Sequence, residues 1–166
     1  MPRSATEGKD WTRERVLALS PTSVLDIGPG VGTYSTLLRP HLPNAWFGAV
    51  EIFAPYVETY GLMGLYDHVT IGDAREVEFN PADVVILGDV LEHMPFDDAL
   101  KLWDKARSTA KLSVFLSLPI IEYPQGACEG NEHEAHLHTW DHVMVMDSLP
   151  GITDFATYSQ IGVYQA

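Results

Sequence analysis

The chain has 166 residues, 46% of them hydrophobic and 20% charged, a balance that suits a globular chain with a sizeable core and excludes disorder. Ten lysines and arginines stand against 23 aspartates and glutamates, and a formal net charge of −13 is the wrong sign for gripping a nucleic acid unaided. The single cysteine, Cys128, excludes an intramolecular disulfide. Residues 1–20 are too polar for a secretory signal, and the longest nearly apolar run, 112–121, is too short to cross a bilayer, so a soluble, cytoplasmic protein is expected.

In chain order, residues 12–19 read as a helix that stops before Pro21. Residues 23–27 read as a strand and 33–38 as a helix, with a glycine-rich turn between them. A strand at 46–50, a helix at 55–61 and a strand at 68–71 follow, and 83–87 read as a strand buried on both faces. The clearest helix pattern covers 95–110. Pro95 sits near its first turn with Asp97 and Asp98, and Lys105, Arg107 and Lys111 lie near its end, charges that complement the helix dipole. Then come a strand at 112–118, a helix at 139–148 capped by Thr139, and strands at 152–158 and 161–164 whose short connection makes them an antiparallel hairpin. This order predicts an α/β fold: a Rossmann-like, seven-stranded, mostly parallel sheet with helices on both faces and a C-terminal antiparallel hairpin strand. One domain is expected over 1–166, with 1–20 supplying a leading helix and 21–166 the core.

The stretch Val24-Leu25-Asp26-Ile27-Gly28-Pro29-Gly30-Val31-Gly32 is the most informative. Three glycines at every second position, between a buried strand and a helix, suit a turn whose backbone a ligand must approach closely. In an open α/β sheet ligands bind at such a junction, so a nucleotide-like cofactor is expected. The dinucleotide fingerprint needs Gly-x-Gly-x-x-Gly, whereas the third glycine here comes one residue early, at Gly32, which disfavours a nicotinamide oxidoreductase. No Gly-Lys-Ser/Thr follows, which excludes the phosphate-cradling loop. The pattern Asp26-x-Gly28-x-Gly30-x-Gly32 resembles motif I of the class I S-adenosylmethionine-dependent methyltransferases, of the small-molecule type, and the resemblance extends over almost the whole chain.

That resemblance implies S-adenosylmethionine as methyl donor and S-adenosylhomocysteine as product. It assigns Glu51, at the end of the second strand, to the ribose hydroxyls, for which a carboxylate there is suited. The family places an acid in the loop after the third strand, here Asp73 in Gly72-Asp73-Ala74. Its carboxylate would accept from the adenine amino group while the Ala74 amide reaches a ring nitrogen. Asp26 would organise the loop amides or a water at the methionine amine, or serve as a buried structural acid. Gly88 and Asp89, after the fourth strand, would face the methionine end.

The segment Gly88-Asp89-Val90-Leu91-Glu92-His93 resembles the Leu-Glu-His segment common in small-molecule members. His93, with an ordinary pKa of about 6.5, is the one candidate general base; its alternative is a backbone hydrogen bond only. Glu92 is expected to support the loop. The Asn/Asp-Pro-Pro-aromatic motif of the nucleic-acid amino methyltransferases is absent at 88–91, so the expected acceptor is a small molecule. Four of the seven histidines fall between 133 and 142. Metal binding, acceptor contact and an ordinary surface loop are all open readings of that segment. The His133–His136 spacing matches no His-Glu-x-x-His site, and Ser117-Leu118-Pro119 lacks the Asp-Asn pair of the catechol-type magnesium site. Tyr123, His136 and His138 are therefore expected at the acceptor, with no metal and no sensitivity to chelation. A non-catalytic or partner-dependent S-adenosylmethionine-binding protein is the alternative to an enzyme, and a homodimer or a partner subunit is compatible with either.

Overall fold

The computed structural model describes residues 5–166. Helix α1 (Lys9–Leu19) leads into β1 (Ser23–Ile27), α2 (Thr33–Leu38), β2 (Trp46–Glu51), α3 (Ala54–Thr59), α4 (Leu62–Leu65) and β3 (His68–Ile71). There follow β4 (Ala82–Gly88), α5 (Phe96–Thr109), β5 (Ala110–Pro119), α6 (His142–Ser148), β6 (Asp154–Thr157) and β7 (Ile161–Gln165). Short 3-10 turns lie at Leu91–His93 and Glu132–Glu134.

The strands form one sheet in the order β3-β2-β1-β4-β5-β7-β6. Neighbours from β3 to β5 are parallel, and β7 runs antiparallel to both β5 and β6, so β7 alone opposes the common direction. Side chains of β4 alternate between two cores, as a pleated strand covered on both faces requires. Val84 and Ile86 join Val24, Phe115, Val16 of α1, and Tyr34 and Leu38 of α2. Val85 and Leu87 join Leu102 and Trp103 of α5 and Val145 of α6, and Ala82 lies on that side too because the register shifts between Ala82 and Val84. Trp103 is fully buried, and its indole N–H donates to the Pro150 carbonyl at 3.1 Å.

Strand order reverses between β1 and β4: the chain leaves β1 toward β2 on one side and β4 toward β5 on the other. Their carboxyl ends therefore diverge and open a crevice there.

Several boundaries differ from those the sequence predicts: β5 starts two residues earlier, at Ala110, β6 covers only Asp154–Thr157, and three helices differ for reasons the packing shows. Helix α1 starts at Lys9 rather than at residue 12, because Gly8, at φ 76, turns the chain so that the Thr12 N–H reaches the Gly8 carbonyl at 3.0 Å. The helix expected over 55–61 is shorter and is followed by a second one, α4. Gly61 takes a left-handed conformation (φ 62) between them, which sends Leu62 into the core with no exposed surface. The last helix starts at His142, not Thr139. Trp140 is buried with its ring 5.4 Å from Phe96 and 5.1 Å from His138, and this packing holds 139–141 out of the helix. Asp141 is the cap instead, its carboxylate accepting from the Met144 N–H at 2.8 Å. No helix among the described residues is long and apolar enough to cross a membrane.

Candidate functional site

The crevice at the carboxyl ends of the strands holds a cavity of about 400 Å³, the size of a small-molecule site. Its walls come from the β1–α2 loop (Gly28, Pro29, Gly30), the end of β2 (Glu51), the loop after β3 (Gly72 to Arg75) and the turn after β4 (Gly88 to Met94). The rim is built by Tyr123, Gln125, and the segment from Asn131 to His136. Thr6, Gln160 and Ile161 close one end. The Glu7 carboxylate accepts from the Ser159 hydroxyl and from the Gln160 and Ile161 N–H groups, which ties the start of the described chain over that end.

The glycine loop needs its glycines for two different reasons. Gly28 and Gly30 both have positive φ, 65 and 51, and line the cavity, where the backbone itself is the wall. Gly32 does not line it. A Cβ there would stand 2.4 Å from Leu65 Cδ1, so this glycine lets α4 pack against the start of α2.

Glu51 is 3% exposed where β2 ends. Its Oε1 accepts from the Phe53 N–H at 2.8 Å, and the Gly30 and Ile52 N–H groups also donate to the carboxylate, coupling it to the glycine loop. Burial pushes its pKa up to about 7 against those bonds, with Glu134 adding to the rise. Asp26, by contrast, lies beneath the loop and does not line the cavity. It is fully buried, accepts from the Tyr66 hydroxyl at 2.6 Å through Oδ2, and leaves Oδ1 unpartnered. Burial pushes this carboxyl up to about 7 as well. Of the two sequence readings of Asp26, this placement matches the buried structural acid.

Asp73 lines the cavity, but its carboxylate is already held by Arg75, whose Nε donates to both oxygens at 2.9 and 3.0 Å. That pairing holds the Asp73 carboxyl below its ordinary range. Arg75 also reaches Asp98 at 3.0 Å and lines the cavity beside Asp73. Ala74 is fixed from behind, its carbonyl accepting from Lys105 Nζ at 2.8 Å.

Asp89 takes the left-handed conformation (φ 57), uncommon for a residue with a side chain and frequent at functional turns. Its N–H donates to the Ser117 carbonyl at 2.8 Å, and its Oδ1 accepts from the Ser117 hydroxyl at 3.1 Å. Lys9, from α1, is 6% exposed and stands behind this turn. Its ammonium donates to the Tyr34 hydroxyl at 3.0 Å and the Ser117 hydroxyl at 3.2 Å, and lies 3.7 Å from Asp89 Oδ2. Sequence reasoning missed Lys9 and Arg75, because a cation in a helix or a loop reads as a solvated charge until its distant partner is known.

His93, His136 and Tyr123 come together at the rim. The two histidine rings meet edge to face with centroids 4.9 Å apart, and Tyr123 lies 5.7 Å from His136. Burial lowers the pKa of both histidines, favouring the neutral imidazole. Glu92 points into the same corner; it is 2% exposed and neither of its carboxylate oxygens has a hydrogen-bond partner. Its backbone carbonyl accepts from the Leu137 and His138 N–H groups at 2.8 and 3.2 Å, which fastens the histidine-rich segment to the turn after β4. His138 is a correction to the expected acceptor set: it stands outside the cavity, packed on Phe96 and Trp140 with Nε2 3.3 Å from Met144 Sδ. His142 is also elsewhere, stacked on Tyr164.

Carboxylates dominate the cavity wall: Glu51, Asp73, Asp89, Glu92 and Glu134, against Arg75 and the nearby Lys9. Such a field favours a cationic ligand.

No protein-family model matches the chain, and no curated protein matches it in sequence. Solved structures match its shape. A Clostridium acetobutylicum S-adenosylmethionine-dependent methyltransferase superposes with a TM-score of 0.72 at 12% identity, over 95% of this chain and 89% of that one. The Burkholderia thailandensis 1,6-didemethyltoxoflavin-N1-methyltransferase, solved with 1,6-didemethyltoxoflavin and S-adenosylhomocysteine bound, gives 0.72 at 15% identity, over 96% and 76%. An O-methyltransferase family protein, also from Burkholderia thailandensis, gives 0.60 at 16% identity over 95% of this chain and 56% of that one. The chain thus spans little more than half the length of that protein. At these identities the likeness is one of architecture, and it is specific: the chain has the fold of the class I S-adenosylmethionine-dependent methyltransferases.

Proposed function

We propose that the chain binds S-adenosylmethionine in the cavity and transfers its methyl group to a small-molecule acceptor. The observation that carries this reading is the pairing of Gly30 with Glu51. A backbone wall with no side chain faces the cavity, and the carboxylate beside it is joined to it by the Gly30 N–H. A ribose diol needs such an acceptor, while a phosphate would be repelled by it. The donor is a sulfonium cation, which suits the acid-rich wall, and its adenine fits beside Ala74 and Arg75. There Arg75 replaces part of the role first expected of Asp73, since the guanidinium plane can stack on the base.

Methyl transfer is an in-line displacement at carbon. The acceptor's lone pair forms the new bond as the carbon–sulfur bond breaks, and the departing pair stays on sulfur as S-adenosylhomocysteine forms. The sulfonium leaves readily, so the protein contributes alignment and exclusion of water. The corner formed by Glu92, His93, His136 and Tyr123 is where the acceptor docks, because it lines the same cavity beyond Asp89. Calorimetry with S-adenosylmethionine, S-adenosylhomocysteine and NAD tests the cofactor: the first two bind with 1:1 stoichiometry and NAD does not. Binding of NAD alone would overturn the proposal. Release of S-adenosylhomocysteine in the presence of mixed small metabolites separates an enzyme from a binding protein.

A further inference from the structure

The corner of the cavity beside the methyl donor contains a group that alignment alone leaves unexplained. Glu92 is almost fully buried with both carboxylate oxygens unpartnered. Taking an ionised carboxylate out of water without compensation costs several kcal/mol. Its acidic neighbours Asp89 and Glu134 make that worse, and the nearest ammonium, Lys9, is already engaged by Tyr34, Ser117 and Asp89. The histidines beside it are each committed at one nitrogen only. His93 Nδ1–H donates to the Ala135 carbonyl at 3.2 Å, and the His136 ring donates to the Tyr123 carbonyl. Each imidazole therefore keeps one nitrogen with a lone pair. One ligating atom from each of Glu92, His93 and His136 lies within 4.8 Å of the others.

We propose that Glu92, His93 and His136 bind a divalent transition-metal ion of the zinc class, with its open positions facing the cavity. Two imidazoles and a carboxylate are a donor set for such ions, and not for magnesium or calcium, which take oxygen ligands. An N–H of each histidine bonded to a backbone carbonyl is the arrangement that orients metal-bound imidazoles. Ligands held about 2.1 Å from a tetrahedral ion stand about 3.4 Å apart, so the three side chains must close by up to about 1.4 Å. No hydrogen bond holds the Glu92 carboxylate where it stands, and each histidine ring is tied at one nitrogen only. An ion there neutralises the orphaned carboxylate and leaves positions open toward the acceptor. This replaces the expectation, drawn from spacing along the chain, of a protein indifferent to chelation.

The role of the ion rests on the methyltransfer reading. An acceptor hydroxyl bound to it loses its proton to water, the oxygen's lone pair then forms the bond to the methyl carbon, and the carbon–sulfur pair goes to sulfur. The site itself is tested without turnover. Protein stripped with EDTA is titrated with Co²⁺ and then with Zn²⁺, and S-adenosylhomocysteine affinity is measured alongside. The wild type is expected to take up one equivalent of Co²⁺ with visible d–d absorption, which Zn²⁺ abolishes. Glu92→Gln and His136→Ala are each expected to weaken Co²⁺ binding at least 100-fold while S-adenosylhomocysteine still binds within about threefold of wild type. Absence of stoichiometric Co²⁺ binding by the wild type, or wild-type Co²⁺ binding in both variants, overturns the site. A wild type that binds Co²⁺ but not S-adenosylhomocysteine overturns the methyltransfer reading and leaves the site standing. Should the variants fail to fold, the wild type still decides: Zn²⁺ must protect His93 and His136 from diethyl pyrocarbonate, and unchanged modification refutes the proposal.

Discussion

Glu51→Gln isolates the charge of the carboxylate that the ribose reading depends on, because the side chain keeps its shape. The wild-type carboxylate already accepts from the Phe53, Gly30 and Ile52 N–H groups. In the variant the amide nitrogen must face one of those donors or the ribose, where it repels. Losing one charge-assisted hydrogen bond to a ribose hydroxyl costs about 1.5–3 kcal/mol, which is about a 10- to 100-fold loss of affinity. The pH dependence supplies an independent check. In the free protein burial raises this carboxyl to about 7, and only the ionised form can accept from both hydroxyls. Affinity must therefore fall as pH falls through 7, by about tenfold between pH 8 and pH 6, because the ionised fraction drops from about 0.9 to about 0.1. Calorimetry of S-adenosylhomocysteine against both proteins at pH 6, 7 and 8 reads both effects, and the difference between them removes other titrating groups. Equal affinity at pH 8, or a wild-type pH profile parallel to that of the variant, would refute the assignment of Glu51 to the ribose.

Asp26→Asn should change the pH dependence of stability. The folded carboxyl, raised to about 7, holds a proton that the unfolded chain loses near pH 4, so its contribution is complete below pH 4 and lost as pH rises to 7. Urea midpoints should show the variant gaining up to about 4 kcal/mol on wild type between pH 4 and pH 8, and a constant difference would count against the argument. Lys9→Met should cost about 3 kcal/mol by urea denaturation, since it leaves Asp89, Tyr34 and Ser117 without their shared buried cation. Trp103→Ala, which empties the largest fully buried site and orphans the Pro150 carbonyl, should cost about 3–5 kcal/mol in the same assay.

Much of the fold is legible in the sequence because the signals are local. β1, α2 and β3 lie at the predicted residues, since a two-residue alternation or an apolar run ending at glycine says where a strand stops. The misplaced boundaries are those decided at a distance. Residues 139–141 carry a helix-capping threonine, but Trp140 contributes more by packing under Phe96 than by extending a helix that is exposed at Val143 and Met146. α4 is only four residues long, too short for periodicity to register, and it is held by Leu62 in the core rather than by its own propensity.

The site divides in the same way. Gly28, Gly30 and Glu51 reach the cavity because each ends or follows a strand, and every parallel strand delivers its C-terminus to the same edge of the sheet. Lys9 is 108 residues from Ser117, and the rings of His93 and His136 lie 4.9 Å apart across 42 intervening positions of chain. No spacing rule sees such pairs. The histidine-rich stretch invites a search for ligands within itself, yet His133, His138 and His142 point to three different surroundings. Only His136 finds a histidine and an unpartnered acid, and both are supplied by the turn after β4. Chemistry at this edge is thus assembled from two halves. The first half of the sheet lends the cavity bare backbone and Glu51, and the second half folds its rim back through the Glu92 carbonyl to build the opposite wall. That division explains why the glycine-loop wall of the cavity could be read from a motif, whereas its rim required the tertiary structure.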